Sequence, residues 1–157
     1  MSREEDEELR VKKIREGTVI DHISAGSSLT VFRMLGFSGK ETNVISILMN
    51  VPSKKLGMKD ILKIEGRELN PTEVDKIALI APYATINIIR DYHVVKKKKV
   101  KLPKVIRGPI KCTNPTCISN ANEPIKSTFL VVSEDPLSLH CHYCNRLLDK
   151  GDVLSQF

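Results

Sequence analysis

The sequence predicts an α+β protein, a ferredoxin-like βαββαβ domain followed by a small antiparallel β domain. Three observations predict it. Residues 17–95 read as a β-α-β unit given twice, the split βαβ order. The four cysteines all fall between Cys112 and Cys144, in two close pairs. Between these regions, Pro103 and the Gly108-Pro109 pair punctuate the chain.

The elements follow in order. Thr18 to Ile23 is β-rich and follows Gly17, so it predicts a first strand. Ser24 can cap a following helix on which Ala25, Leu29, Phe32 and Leu35 lie at helical spacing and which Gly36 can end. Val44 to Met49 predicts a second strand, closed by Asn50 and Pro52, and the alternating Asp60 to Glu65 a third. Asn70, Pro71 and Glu73 supply an N-cap, a first-turn proline and an N3 acid. Val74, Ile77, Ala78 and Ala81 then form a helical stripe that Pro82 ends. Thr85 to Ile89 predicts the fourth strand, and Tyr92 to Val95 a continuation of the sheet. In the second strand Ile45, Ile47 and Met49 share one side, and Val44, Ser46 and Leu48 the other. A strand apolar on both faces is central or interfacial, which points to self-association through this sheet or to a buried central position.

Charge is unevenly spread. Lys and Arg number 25 against 19 Asp and Glu, a formal +6. Glu4, Glu5, Asp6, Glu7 and Glu8 form an acidic run that reads as a solvated tail. It is unlike a signal or transit peptide, and no apolar run approaches the roughly 18 residues of a membrane span. The expected compartment is the cytoplasm, with no membrane partner. Lys96 to Lys99, Lys101, Lys104 and Arg107 form the opposite run, interleaved with Val94, Val95, Val100 and Leu102. It reads as a polyanion-binding patch or as a strand end running into a connection. The predicted organisation is a first domain over 1–98, a linker over 99–108 and a second domain over 109–157.

Cys112 and Cys117 have four residues between them, Cys141 and Cys144 have two, and 23 residues separate the pairs. Each short loop turns two thiolates toward one ion, and two loops complete a tetrahedron. The reading is one structural Zn²⁺ per chain in a zinc ribbon of the rubredoxin-like kind. Four thiolates close the coordination sphere, whereas catalysis needs an open position. Thr128 to Val132 and Leu137 to Leu139 supply its strands. Lys111, His140, His142 and Arg146 flank the ligands and offset a net −2, so both histidines read as neighbours of the site rather than ligands. So small a domain depends on the metal, so removing it should unfold residues from about 109 onward and leave the first domain folded.

At this point a resemblance is visible. GTVIDHI (Gly17 to Ile23), NVPSKKLGMKDILKIE (Asn50 to Glu65) and APYATINIIRDYHVV (Ala81 to Val95), with CTNPTC and CHYC after them, resemble the regulatory chain of aspartate carbamoyltransferase. The resemblance runs from about Val11 onward. It implies a noncatalytic subunit of de novo pyrimidine biosynthesis. The first domain would bind CTP and ATP, with UTP assisting CTP, and the second would dock on a catalytic chain. Regulatory homodimers would join catalytic trimers, two trimers with three dimers in a dodecamer.

The resemblance also implies a nucleotide site. Asp21 would accept from ribose hydroxyls, His22 and Lys97 would meet phosphate, and Lys63, with Lys59 nearby, would reach ribose or base. Asn87 and Ile89 share a strand face, and Val11, Ile14, Val19, Ile61, Tyr92 and Val94 would wall the base. Lys96 or Lys98 could replace Lys97, because register is open in a lysine run. Asp21 and His22 are adjacent, so a regular strand would point them oppositely, and both line one pocket only if the strand twists or ends there. At the docking surface, Asn114 matches the family's polar contact, while Thr116 and Asn145 depart from it. Two other classes compete. A nucleic-acid-binding zinc ribbon would show strongly salt-dependent affinity, but with 4% aromatic residues and no Trp the chain lacks stacking platforms, so no nucleic-acid partner is expected. An acylphosphatase-like enzyme would use Arg90 and Asn87, but no phosphate loop is visible near Gly17.

Overall fold

A computed structural model of the chain describes residues 13–121 and 124–157. The acidic run Glu4 to Glu8 and Val11 lie outside the described residues.

The first unit runs β1 (Gly17–Ser24), α1 (Ser28–Met34), β2 (Ile45–Ser53), β3 (Gly57–Glu65), α2 (Pro71–Ile80), β4 (Thr85–Arg90) and β5 (His93–Lys99). The strand order is β2-β3-β1-β4-β5, with every neighbour antiparallel. The first four strands take the split βαβ order, and β5 adds an edge. Strand alternation builds the core: Thr18 and Ile20 of β1 and Leu62 and Ile64 of β3 are fully buried with Val31 and Met34 of α1 and Ile77 and Ile80 of α2. Each such apolar side chain contributes roughly 1.5–3 kcal/mol. Gly17 has φ +141°, and a Cβ there would stand 2.0 Å from the Ile64 carbonyl oxygen, so the β1–β3 approach admits only glycine.

Asn70 caps α2 as read: its side chain accepts from the Glu73 N–H at 2.9 Å, and Pro71 opens the helix. The helix stops at Ile80 because Ala81 precedes Pro82 and leaves the helical region, at φ −124° and ψ 75°.

Two helix and strand boundaries differ from the sequence expectation, and one residue explains both. α1 does not start after Ser24. Ser24, Gly26 and Ser27 form a turn, Ser27 takes the cap position without a side-chain bond, and the helix begins at Ser28. The helix start is met by Asp60 of β3, whose Oδ2 accepts from the Gly26 and Ser28 N–H groups at 3.0 Å each. β2 does not close at Asn50. A bulge between Leu48 and Val51 places Asn50 at φ 59°, its N–H donates to Asp60 Oδ1 at 3.0 Å, and pairing resumes to Ser53. Pro52 is tolerated because β2 is the outer strand. A central position therefore does not explain its two apolar faces.

The lysine run is a strand end that leads into a connection: Lys96 to Lys99 lie within β5, whose seven residues are all exposed, and Lys101 and Lys104 fall in the stretch between β5 and the second sheet. The stretch 99–108 is also structured: Val100 and Leu102 are buried, the Val100 N–H donates to the Ala84 carbonyl at 3.0 Å, and β6 (Val105–Arg107) pairs with the second sheet.

That sheet adds β7 (Thr128–Glu134), β8 (Leu137–Cys141) and β9 (Leu147–Asp149), in order β6-β7-β8-β9, all antiparallel. α3 (Lys150–Leu154) follows, opened by a reciprocal Asp149–Asp152 capping box. β6, β9 and α3 go beyond the two strands expected. Phe129, Leu139, Leu148 and Val153 are buried beneath the cysteine loops, in a cluster continuous with the first core.

Asp60→Ala should leave three backbone amides without their acceptor and lower unfolding stability by on the order of 3 kcal/mol. Urea denaturation followed by circular dichroism checks this, and an unchanged midpoint would rule out the role assigned to Asp60.

Candidate functional site

The cysteines come from three local structures. Cys112 and Cys117 bracket a loop closed by two asparagines. Asn114 Oδ1 accepts from the Thr116 N–H (3.1 Å) and hydroxyl (2.9 Å). Asn120 Nδ2 donates to the Cys112 and Asn114 carbonyls at 2.9 and 2.7 Å. Cys141 ends β8, and Cys144 follows in a turn where the Asn145 N–H donates to the Cys141 carbonyl at 3.0 Å and Asn145 sits at φ 64°. Gln156 ties the last residues to this loop: its amide accepts from the Lys111 N–H (2.7 Å) and donates to the Lys111 carbonyl (2.8 Å). Asn120 and Gln156 escaped the sequence reading, since neither carries a metal-ligand signature.

All four Sγ atoms lie within 4.8 Å of one another, with Cys112–Cys144 at 3.5 Å and Cys117–Cys141 at 3.7 Å. A Zn–S bond of about 2.3 Å implies a tetrahedron edge of about 3.8 Å, so the donor set fits such an ion. Three of the cysteines are buried, and all four are free of disulfides. The Arg146 N–H chiefly holds the Cys144 thiol down to about 6, while desolvation pushes Cys112 up to about 12 and raises Cys141. The metal supplies the positive charge that keeps all four thiolates ionised together. Lys111, His142 and Arg146 are exposed and His140 half-buried around it.

The second site is the sheet face opposite the helices. Cross-strand partners share a face, and one row runs Lys63 (β3), Val19 (β1), Asn87 (β4) and Lys97 (β5). The next row runs Asp21, Thr85 and Lys99. Register therefore puts Lys97 and Lys99 on the open face, while Lys96 and Lys98 line a cleft with Val74 of α2 on the other. A recess of about 290 Å³ is lined by Lys13, Ile14, Val19, Lys63, Asn87, Ile89, Tyr92 and Val94. Lys13 is the addition. Asp21, His22, Lys59, Ile61 and Lys97 lie outside that recess; alternation along β3 puts Lys59 and Ile61 on the same face as Lys63.

The adjacent Asp21 and His22 do come together. Between Ile20 and Ile23 the β1–β3 register shifts, and His22 takes φ 57°. His22 Nδ1 then lies 3.9 Å from Asp21 Oδ2 and 3.5 Å from the Thr85 hydroxyl, and the Lys59 ammonium pairs with Asp21 at 2.9 Å. At the other end, Asp91 and Tyr92, both at positive φ, make the β4–β5 turn, and the Tyr92 N–H donates to the Arg15 carbonyl at 3.0 Å. Tyr92 is thus a turn residue rather than a strand residue.

Fold and sites together define a two-domain chain, a ferredoxin-like α+β domain with a cationic sheet face joined to a four-cysteine metal-binding domain. Comparison with known proteins agrees domain by domain. Residues 9–101 match the family described as aspartate carbamoyltransferase regulatory chain, allosteric domain, and residues 104–154 match its metal binding domain. Curated relatives named aspartate carbamoyltransferase regulatory chain include those of Methanothrix thermoacetophila (58% identical, 91% of this chain and 93% of the relative) and Hyperthermus butylicus (56%, 94% and 93%). That of Thermofilum pendens is 53% identical, with 96% of each covered. The chain belongs to the family of aspartate carbamoyltransferase regulatory chains.

Cys141→Ser should abolish stoichiometric metal retention, measured by metal analysis after dialysis, and metal affinity should fall as pH is lowered because protons compete for the thiolates. Full metal retention by the variant would break the four-thiolate assignment.

Proposed function

We propose that this chain is a noncatalytic allosteric subunit that binds CTP or ATP, with UTP as a further ligand, on the open face of its first sheet. It thereby modulates a separate catalytic chain in de novo pyrimidine synthesis, in the cytoplasm. The observation that carries the reading is the row Lys63, Val19, Asn87 and Lys97, with Asp21 and His22 beside it. Lys63 and Lys97 stand three strand spacings apart, about 14 Å between backbones. They frame a floor on which Val19 meets a base face and the Asn87 amide offers both a donor and an acceptor to its edge. Triphosphate needs cationic donors, and Lys97, Lys99 and His22 supply them, with Lys13 at the entrance. Asp21, held by Lys59, accepts from ribose hydroxyls. Val11 belongs to the same proposed wall.

The bound ion is one structural Zn²⁺ on Cys112, Cys117, Cys141 and Cys144, supported by the all-thiolate donor set. Residues 1–98 form the effector domain, 99–108 the link, and 109–157 the domain that docks on the catalytic chain. The effector domain forms a homodimer, supported by β2, an outer strand with apolar residues on both faces, with Val44 exposed just before it and Met49 exposed within it. The dimer takes its place among two catalytic trimers and three regulatory dimers. The link transmits a two-state change rather than tethering the halves.

Calorimetric titration of the metal-loaded chain with CTP and with ATP tests the effector site. Each should saturate, and Lys63→Ala should weaken both by about tenfold or more, the value of a lost charge-assisted bond, with unchanged metal content. No saturation at millimolar nucleotide in folded protein would remove the reading.

A further inference from the structure

A second cationic cavity lies far from the sheet face, where α2 meets the metal-binding domain. Its volume is about 540 Å³, larger than the recess beside Lys63 and within the usual range of small-molecule sites. Lys76 and Thr72 come from α2, Arg107 from β6, and Lys111, Lys126 and Ser119 from the loops around the Cys112–Cys117 pair. Three polar groups in the wall are already committed: Asn120 Nδ2 donates to the Cys112 and Asn114 carbonyls, the Ser127 hydroxyl donates to the Ile110 carbonyl, and the Ser119 hydroxyl lies 3.1 Å from Cys117 Sγ. Four cations therefore line one concavity. Among the described residues no carboxylate lies within 4.0 Å of any of them; the ion pairs present are Asp21 with His22 and Lys59, Arg67 with Glu73, and Arg90 with Glu68. Asp75 lines the adjoining cleft beyond Thr72 and Arg107.

Like charges gathered in one concavity repel one another and concentrate an anion there. We infer that this interdomain cavity binds a small oligophosphate anion, held by Lys76 and Arg107 from opposite sides of the domain junction. An oligophosphate matches the donor set because each phosphoryl group offers several acceptor oxygens, Arg107 presents a planar fork to two of them, and the Thr72 hydroxyl lines the same wall as a further donor. A monocarboxylate leaves most of those donors unmet. Because α2 belongs to the first domain and β6 pairs in the second sheet, the anion fits only the docked arrangement and stabilises it by mass action. It therefore acts on the same junction that any signal from the sheet face must cross.

The test uses the full metal-loaded chain and inorganic pyrophosphate as probe, followed by calorimetry at near-physiological salt and by amide hydrogen exchange. Saturable binding is expected, weakened about tenfold or more by Lys76→Ala and by Arg107→Ala and unchanged by Lys63→Ala. Exchange should slow together at residues 72–77 of α2 and 105–111 around β6. Lys76 is half-buried and Arg107 exposed, so both variants should retain the metal, and measured metal content checks that they fold. Binding lost in Lys63→Ala but intact in Arg107→Ala would place the probe on the sheet face and overturn the inference. So would equal weakening by any surface lysine substitution, the mark of diffuse attraction, or no saturation at millimolar probe. Protection confined to one domain would overturn the bridging role.

Discussion

Asp60 is fully buried, and its two oxygens receive three backbone N–H groups, those of Gly26, Ser28 and Asn50. A buried carboxylate is costly unless its lone pairs are met. Here they are met by the turn before α1 and by the bulge of β2, so one side chain of β3 sets where the helix begins and how the outer strand bends. The same residue pairs with Ile23 of β1 beyond that strand's own register shift. Its neighbour Lys59 faces the other way and pairs with Asp21. Core and open face are thus coupled through one dipeptide: the irregularity that brings Asp21 and His22 to one side is flanked by the anchor that holds α1 and β2.

The second domain depends on a different constraint. Its apolar centre is small, and its two cysteine loops are positioned by Asn114, Asn120 and Gln156 rather than by extensive packing. These bonds orient the thiolates, but desolvation opposes ionising Cys112 and Cys141 without a cation. Loop geometry and metal charge therefore stabilise each other. The domain is not isolated: Val100 and Leu102 are buried in the stretch between the sheets, and Tyr83 donates to Asp135 across the junction at 3.4 Å. A continuous apolar cluster of this kind can carry a discrete rearrangement from one half to the other, as a bare linker cannot.

The positive charge of the chain is sorted by strand periodicity. β5 carries four consecutive lysines, and alternation sends Lys97 and Lys99 to the open face and Lys96 and Lys98 toward the helices. Lysines on an outer strand also discourage edge-to-edge pairing. β2, at the opposite edge, carries no such lysines within its span, which makes the two edges unequal in charge.

Much of the fold was legible in the residues because local chemistry and global architecture agree there. Asn70, Pro71 and Glu73 announce α2, since a cap is satisfied by its own neighbours in sequence. The two cysteine pairs announce a metal site, since each pair needs only a short loop to aim both thiolates. The family resemblance was visible for the same reason, in the order and spacing of such segments. The start of α1 was misread because its amides are satisfied by Asp60, 32 residues away from Ser28. The continuation of β2 past Asn50 was misread because the same carboxylate stabilises the bulge. Which lysines of the run take the open face, how Asp21 and His22 come to the same side, and how Lys76 and Arg107 come to line one cavity were decided only by tertiary structure. Strand register, a bulge opposite a partner strand and the docking of two domains are relations between distant segments, and no local pattern of residues carries them.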